Sequence, residues 1–98
     1  MISLSPKAFR YVTAALPFLP DDRRAEWTVL TAEHGSQLSI DASMIAFEAL
    51  QIWEGKLRRT LELEGYDEDF KADIANDIGF ICAIESDISQ MLKTDSHR

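Results

Sequence analysis

The sequence predicts an all-α fold: a small irregular four-helix bundle built on a long antiparallel helical hairpin (helices 3 and 4) and covered by two short helices. Three observations predict it. Phe70, Ile74, Ile78, Ile81, Ile84, Ile88 and Met91/Leu92 recur every three or four positions through a segment without proline, which is the pattern of one amphipathic helix. Ile40, Met44, Phe47, Leu50, Trp53, Leu57 and Leu61 repeat that spacing just upstream, and Gly65 is the breaker between the two stripes. Pro6, Pro17 and Pro20 punctuate the first twenty residues, leaving room there for short helices only.

Ser5 and Pro6 read as N-cap and first helical residue, because proline has no N–H to leave unpaired and its fixed φ suits a first turn. The first helix is expected over 6–16, with Phe9, Val12 and Leu16 inward, before Pro17 and Pro20 bend the chain. Asp21 and Asp22 follow Pro20 and favour the positive end of a second helix. It is expected over 20–34, with Trp27 and Leu30 inward and Gly35 as a left-handed cap. The rival reading is a β-hairpin that pairs the β-formers Trp27 to Thr31 with Gln37 to Ile40 across a His34-Gly35-Ser36 turn. It lacks a third strand.

Ser39 or Asp41 caps the third helix, expected over 40–64, where Gly55 is a candidate kink. Gly65 ends it, and Asp67, Glu68 and Asp69 cap and charge a fourth helix over 67–93. Residues 1–5 and 94–98 are expected to fray. The core should hold Phe9, Val12, Leu16, Trp27, Leu30, Met44, Phe47, Leu50, Leu57, Leu61, Phe70, Ile74, Ile78, Ile81 and Ile88. Around Ile78 to Ile84 the fourth helix is apolar on every face, so it should be central or face a second subunit, with Gly79 permitting a close helix crossing.

A chain of 98 residues, 46% of them apolar, makes one domain with one core. No apolar run is long enough to span a bilayer, and the first residues lack a basic stretch followed by an apolar one. A soluble, cytoplasmic protein is expected. Cys82 is the only cysteine, so no internal disulfide can form. The net charge of −7 falls wholly on residues 41–98, and seven carboxylates with one lysine crowd residues 62–77. Nucleic acid is not an expected partner, because its phosphates need clustered Lys and Arg.

The candidate chemistry is sparse. Asp69, Asp73 and Asp77 form an i, i+4, i+8 ridge of carboxylates, and Glu64 with Asp67 makes a Glu-x-x-Asp pair. Neither feature completes a metal site without ligands from another helix. An EF-hand reading fails because Lys71, Ala72 and Ile78 stand where ligands and the turn glycine belong, and neither His34 nor His97 has the glutamate that a di-iron bundle requires three positions earlier. No cofactor is expected. Cys82 sits in an apolar run with no Lys, Arg or His beside it and reads as an inert core thiol, while Arg58 should pair with Glu62.

These features predict a non-enzymatic interaction or regulatory protein that presents Glu68, Asp69, Asp73 and Asp77 to a protein partner with a basic surface. The alternative is a Mg²⁺-dependent hydrolase using Glu64, Asp67 and Asp73. A homodimer is also expected, with Ile45, Ala49, Ile52, Phe80 and Ile84 at its interface, because two short helices cover only one side of a long hairpin.

Overall fold

The computed structural model describes residues 2–32, 37–63 and 65–96. Helical structure accounts for 84% of the described residues, the 3-10 turn included, and its four α-helices are α1 (Pro6–Ala15), α2 (Asp21–Thr31), α3 (Ile40–Glu62) and α4 (Glu68–Ser96). A 3-10 turn, Leu16–Phe18, joins α1 to α2. The two long helices pack along each other and the short pair lies against α3. At 1.5 Å per residue, α4 is about 43 Å long, close to the 47 Å long axis of the whole molecule.

Local chemistry sets the boundaries. The Ser5 side chain accepts a hydrogen bond from the Ala8 amide (3.1 Å), and Ser39 does the same for Ala42 (3.2 Å), so both serines cap orphan donors. Asp67 Oδ1 accepts from the Phe70 amide (2.7 Å) at the start of α4. Gly65 has φ +99°, a left-handed backbone that only glycine adopts without strain. At the other end α4 runs on to Ser96, so 94–96 belong to the helix. The expected Gly35 cap, with His34, lies outside the described residues, as do Glu64 and His97.

Residues 2–5, expected to fray, are held by packing. Ile2–Ser3 forms β1 and pairs antiparallel with Gln37–Leu38, β2, in the register Ile2 opposite Leu38. Strand alternation turns Ile2 and Leu38 inward, where they are 1% and 0% exposed, and Leu4 is buried beside them. Extended structure at 37–38 was half of the rival hairpin reading. Its partner is the chain start, because Trp27 to Thr31 is helical.

The central helix is α3, where the sequence pointed to α4. Ala42, Ser43, Ile45, Ala46, Ala49 and Leu50 are all buried, which means that the first half of α3 is enclosed on more than one face. This second face includes Ile45 and Ala49, which the sequence assigned to a dimer seam, together with small residues that carry little hydrophobic signal. Ser43 tolerates full burial because its Oγ donates to the Ser39 carbonyl (2.8 Å). Arg23 of α2 adds a polar tie to α3, donating from Nε (3.1 Å) and Nη2 (2.9 Å) to one Glu48 oxygen.

Two core expectations fail. Met44 is 55% exposed and Phe70 is 43% exposed, although both lie on the predicted stripes. The expected dimer face fails in part as well. Ile45, Ala49 and Ile84 are buried within the single chain, so they have no surface left for a second copy. Ile52 is half-buried, and Phe80 is exposed at 44% beneath the Lys7 ammonium, 3.6 Å from its ring centre. A Cβ placed on Gly79 would meet open space, so no helix crosses there, and α3 continues through Gly55 as one helix.

Candidate functional site

Burial fades along the hairpin toward its turn. The last buried residue of α3 is Leu50, and the first of α4 is Ile74. Ile74 and Ile78 are buried but stand outside the main core cluster, whose buried members on α4 are Ile81, Ile84 and Ile88. The short helix α1 meets this stretch of α4 where the Tyr11 hydroxyl donates to Asp77 Oδ1 (3.1 Å). Burial and that hydrogen bond push the Tyr11 phenol upward in pKa.

Past that contact the tip of the hairpin carries its own surface. Leu63, Tyr66 and Phe70 are 56%, 42% and 43% exposed. The Tyr66 and Phe70 rings stack with centroids 4.8 Å apart and planes 25° from parallel, an arrangement that holds an apolar face in place. Around it Glu68, Asp69 and Asp73 are exposed, and none makes an ion pair among the described residues. Glu68 and Asp69 occupy the first turn of α4, where the helix dipole favours negative charge. Asp77, the fourth residue expected on this surface, is half-buried and tied to Tyr11. It fastens α1 to α4 and is not free for a partner.

A second cluster lies in the seam between α3 and α4. Glu54, Cys82 and Glu85 place one ligand atom each within 4.8 Å of one another, the only such trio of His, Cys, Asp or Glu among the described residues. The Cys82 thiol donates to Glu54 Oε1 (3.2 Å), and Arg58 Nε donates to Glu54 Oε2 (2.8 Å). Arg58 therefore reaches back one turn to Glu54, where pairing with Glu62 was expected. Its Nη2 also lies 3.7 Å from the Cys82 sulfur.

Electrostatics divides the two carboxylates. The Arg58 hydrogen bond holds Glu54 below the usual carboxylate range, whereas burial, then the hydrogen bond and the charge of Glu54, push Glu85 up to about 7. Glu85 Oε1 is buried with no donor pointing at it. A proton on Glu85 resolves this, since it can be donated to Glu54. The thiol is pushed up by burial and by Glu54, so it stays protonated and is a poor nucleophile. The positive charge that a metal ion would bring is already supplied by the Arg58 guanidinium. The cluster is thus a polar seam in which one guanidinium balances the ionised Glu54.

Of the alternative hydrolase set, Glu64 lies outside the described residues and Asp67 is occupied as the α4 cap, and among the described residues neither Asp67 nor Asp73 belongs to a trio of possible ligands. At the far end of the molecule Ile40, Met44, Phe47, Gln51 and Leu92 line an open groove of about 550 Å³. No helix among the described residues is long and apolar enough to cross a membrane. Set against protein-family models, curated proteins and solved structures, the chain matches none.

Sequence reasoning found the acidic residues of the tip but missed two things. Glu85 was overlooked, although it follows Ile81 by four and precedes Ile88 by three, a spacing that puts it on the inward flank of α4. Arg58 was seen only in its own helix. Its approach to Cys82 spans 24 positions, which no local pattern reveals.

Proposed function

We propose that the chain is a non-enzymatic interaction protein that docks onto a basic protein surface through the acidic tip of its helical hairpin. The observation that carries this reading is the exposure of Glu68, Asp69 and Asp73 with no intramolecular cation paired to any of them among the described residues. Carboxylates left in this state set up a local negative potential that raises encounter rates with a cationic partner and weakens as salt screens it. The seam cluster supports the same reading from the other side. Its thiol is pushed up by burial and by Glu54 and stays protonated, which leaves no activated nucleophile there.

The test is a titration of the isotope-labelled protein with a Ser/Lys peptide, followed by amide chemical shifts. Shifts should concentrate on residues 66–74, and the affinity should fall steeply between about 50 and about 500 mM salt. The variant carrying Glu68→Lys, Asp69→Lys and Asp73→Lys should lose binding. Shifts spread evenly over the surface, or an affinity indifferent to salt, would contradict the proposal.

A further inference from the structure

The structure assigns a partner chemistry to this tip: an amphipathic, basic polypeptide helix whose apolar side chains seat on Leu63, Tyr66 and Phe70 while its Lys or Arg residues meet Glu68, Asp69 and Asp73. The inference rests on the docking function proposed above and deepens it. Carboxylates alone would accept any cation. The tip adds three large apolar side chains, each more than two-fifths exposed, and fixes two of them as a stacked aromatic pair. Stiff aromatic rings lose little side-chain entropy when covered, which makes them effective anchors in interfaces.

Sequence position fixes how anchor and charge combine. Phe70 continues the stripe of Ile74 and Ile78 one turn beyond the point where burial begins, so the core face of α4 runs out into solvent at the tip. Asp73 stands three residues after Phe70, on the adjoining ridge of the helix, and Asp69 is its immediate neighbour. An apolar strip therefore emerges alongside a ridge of carboxylates. A helix with one apolar face and flanking cations matches both features at once, with its apolar side chains replacing the layer that α1 and α2 provide elsewhere. The negative rim disfavours anionic lipid surfaces and nucleic acid, which leaves a basic polypeptide as the matching occupant.

Two peptides of equal length and charge separate this inference from the reading beneath it: a Leu/Lys amphipathic helix and a Ser/Lys control, each titrated into the full chain. The Leu/Lys peptide should bind at least about tenfold more tightly than the control. Phe70→Ser, with an unchanged helical spectrum, should erase that difference without abolishing the weaker binding. Tyr66→Ser provides the same comparison should Phe70→Ser fail to fold. Equal affinities for the two peptides, or a Leu/Lys preference that survives both substitutions, would overturn the inference while leaving charge-driven docking intact. Failure of both peptides to bind would overturn both. Sedimentation of the free chain supplies the last outcome: self-association that Phe70→Ser abolishes would put a second copy on the patch in place of a basic helix.

Discussion

The two ends of the α3–α4 hairpin are written in the same helical period and have opposite fates. At the body end, Ile45, Leu50, Ile81 and Ile88 are at most 1% exposed, because α1, α2 and the β1–β2 pair add a further layer. At the tip, Phe70 follows the same rule of spacing and remains 43% exposed. An apolar stripe shows which face of a helix prefers burial, and only the presence of a third layer decides whether that preference is met. The body therefore holds the fold, while the tip keeps apolar surface exposed.

The largest expected effect tests this division of labour directly. Ile88→Ala should cost about 2–5 kcal/mol, because it removes a fully enclosed side chain and leaves a cavity. Phe70→Ala should cost less than about 1.5 kcal/mol, the loss being confined to its stack with Tyr66. Urea unfolding measures both. Equal losses would show that the tip is as much a part of the core as the body.

The seam between the two ends adds a pH dependence. Glu85, raised to about 7 from an ordinary 4.5, takes up its proton more readily in the folded chain. Its contribution is fully present below about 4.5 and is lost as pH rises through about 7. Glu54, held low by Arg58, acts in the opposite sense and loses its contribution only in acid. Stability should therefore fall between pH 5 and pH 8 by on the order of 1 kcal/mol, allowing for solvent screening of a partly exposed pair. Glu85→Gln, whose amide can donate to Glu54 at any pH, should flatten that slope. A slope unchanged in the variant would mean that another group titrates.

Gly55 and Gly79 offer a smaller and opposite effect. A Cβ at either position meets nothing within 4 Å, so Gly55→Ala and Gly79→Ala should each stabilise by up to about 1 kcal/mol through helix propensity alone. Thermal melts of the single variants check this. A loss at Gly79 would restore the close crossing that the sequence suggested. Smallest of all, Asp73→Asn should leave stability within about 0.5 kcal/mol of the parent while weakening binding of the Ser/Lys peptide. That pairing of outcomes sets binding apart from folding at the tip.

Much of this architecture is legible in the residues themselves. Ser5, Ser39 and Asp67 announce helix starts by their side-chain chemistry, Gly65 marks the turn beyond Leu63, where α3 has already ended, and the two long stripes name the hairpin. The centrality of α3 was hidden because Ala42, Ser43, Ala46 and Ala49 carry little hydrophobic signal, yet their small size is what lets two layers close on one helix. The β1–β2 pair was hidden for another reason. Two residues per strand are too few to show alternation, and their partners are 34 or more positions apart in sequence. At the tip, charge was readable from composition, whereas the exposure of Phe70 was not, since it depends on where the covering helices stop.

Native-state hydrogen exchange reads the contrast between body and tip residue by residue, comparing amides 72–76 of α4 with amides 81–88 of the same helix. Both stretches lie beyond the first turn, so each has intrahelical partners, and any difference reports local opening. Amides 72–76 should exchange through openings well below the free energy of global unfolding and gain protection when the Leu/Lys peptide binds. Protection of 72–76 equal to that of 81–88 in the free protein would contradict it, showing a hairpin that is uniformly stable from body to tip.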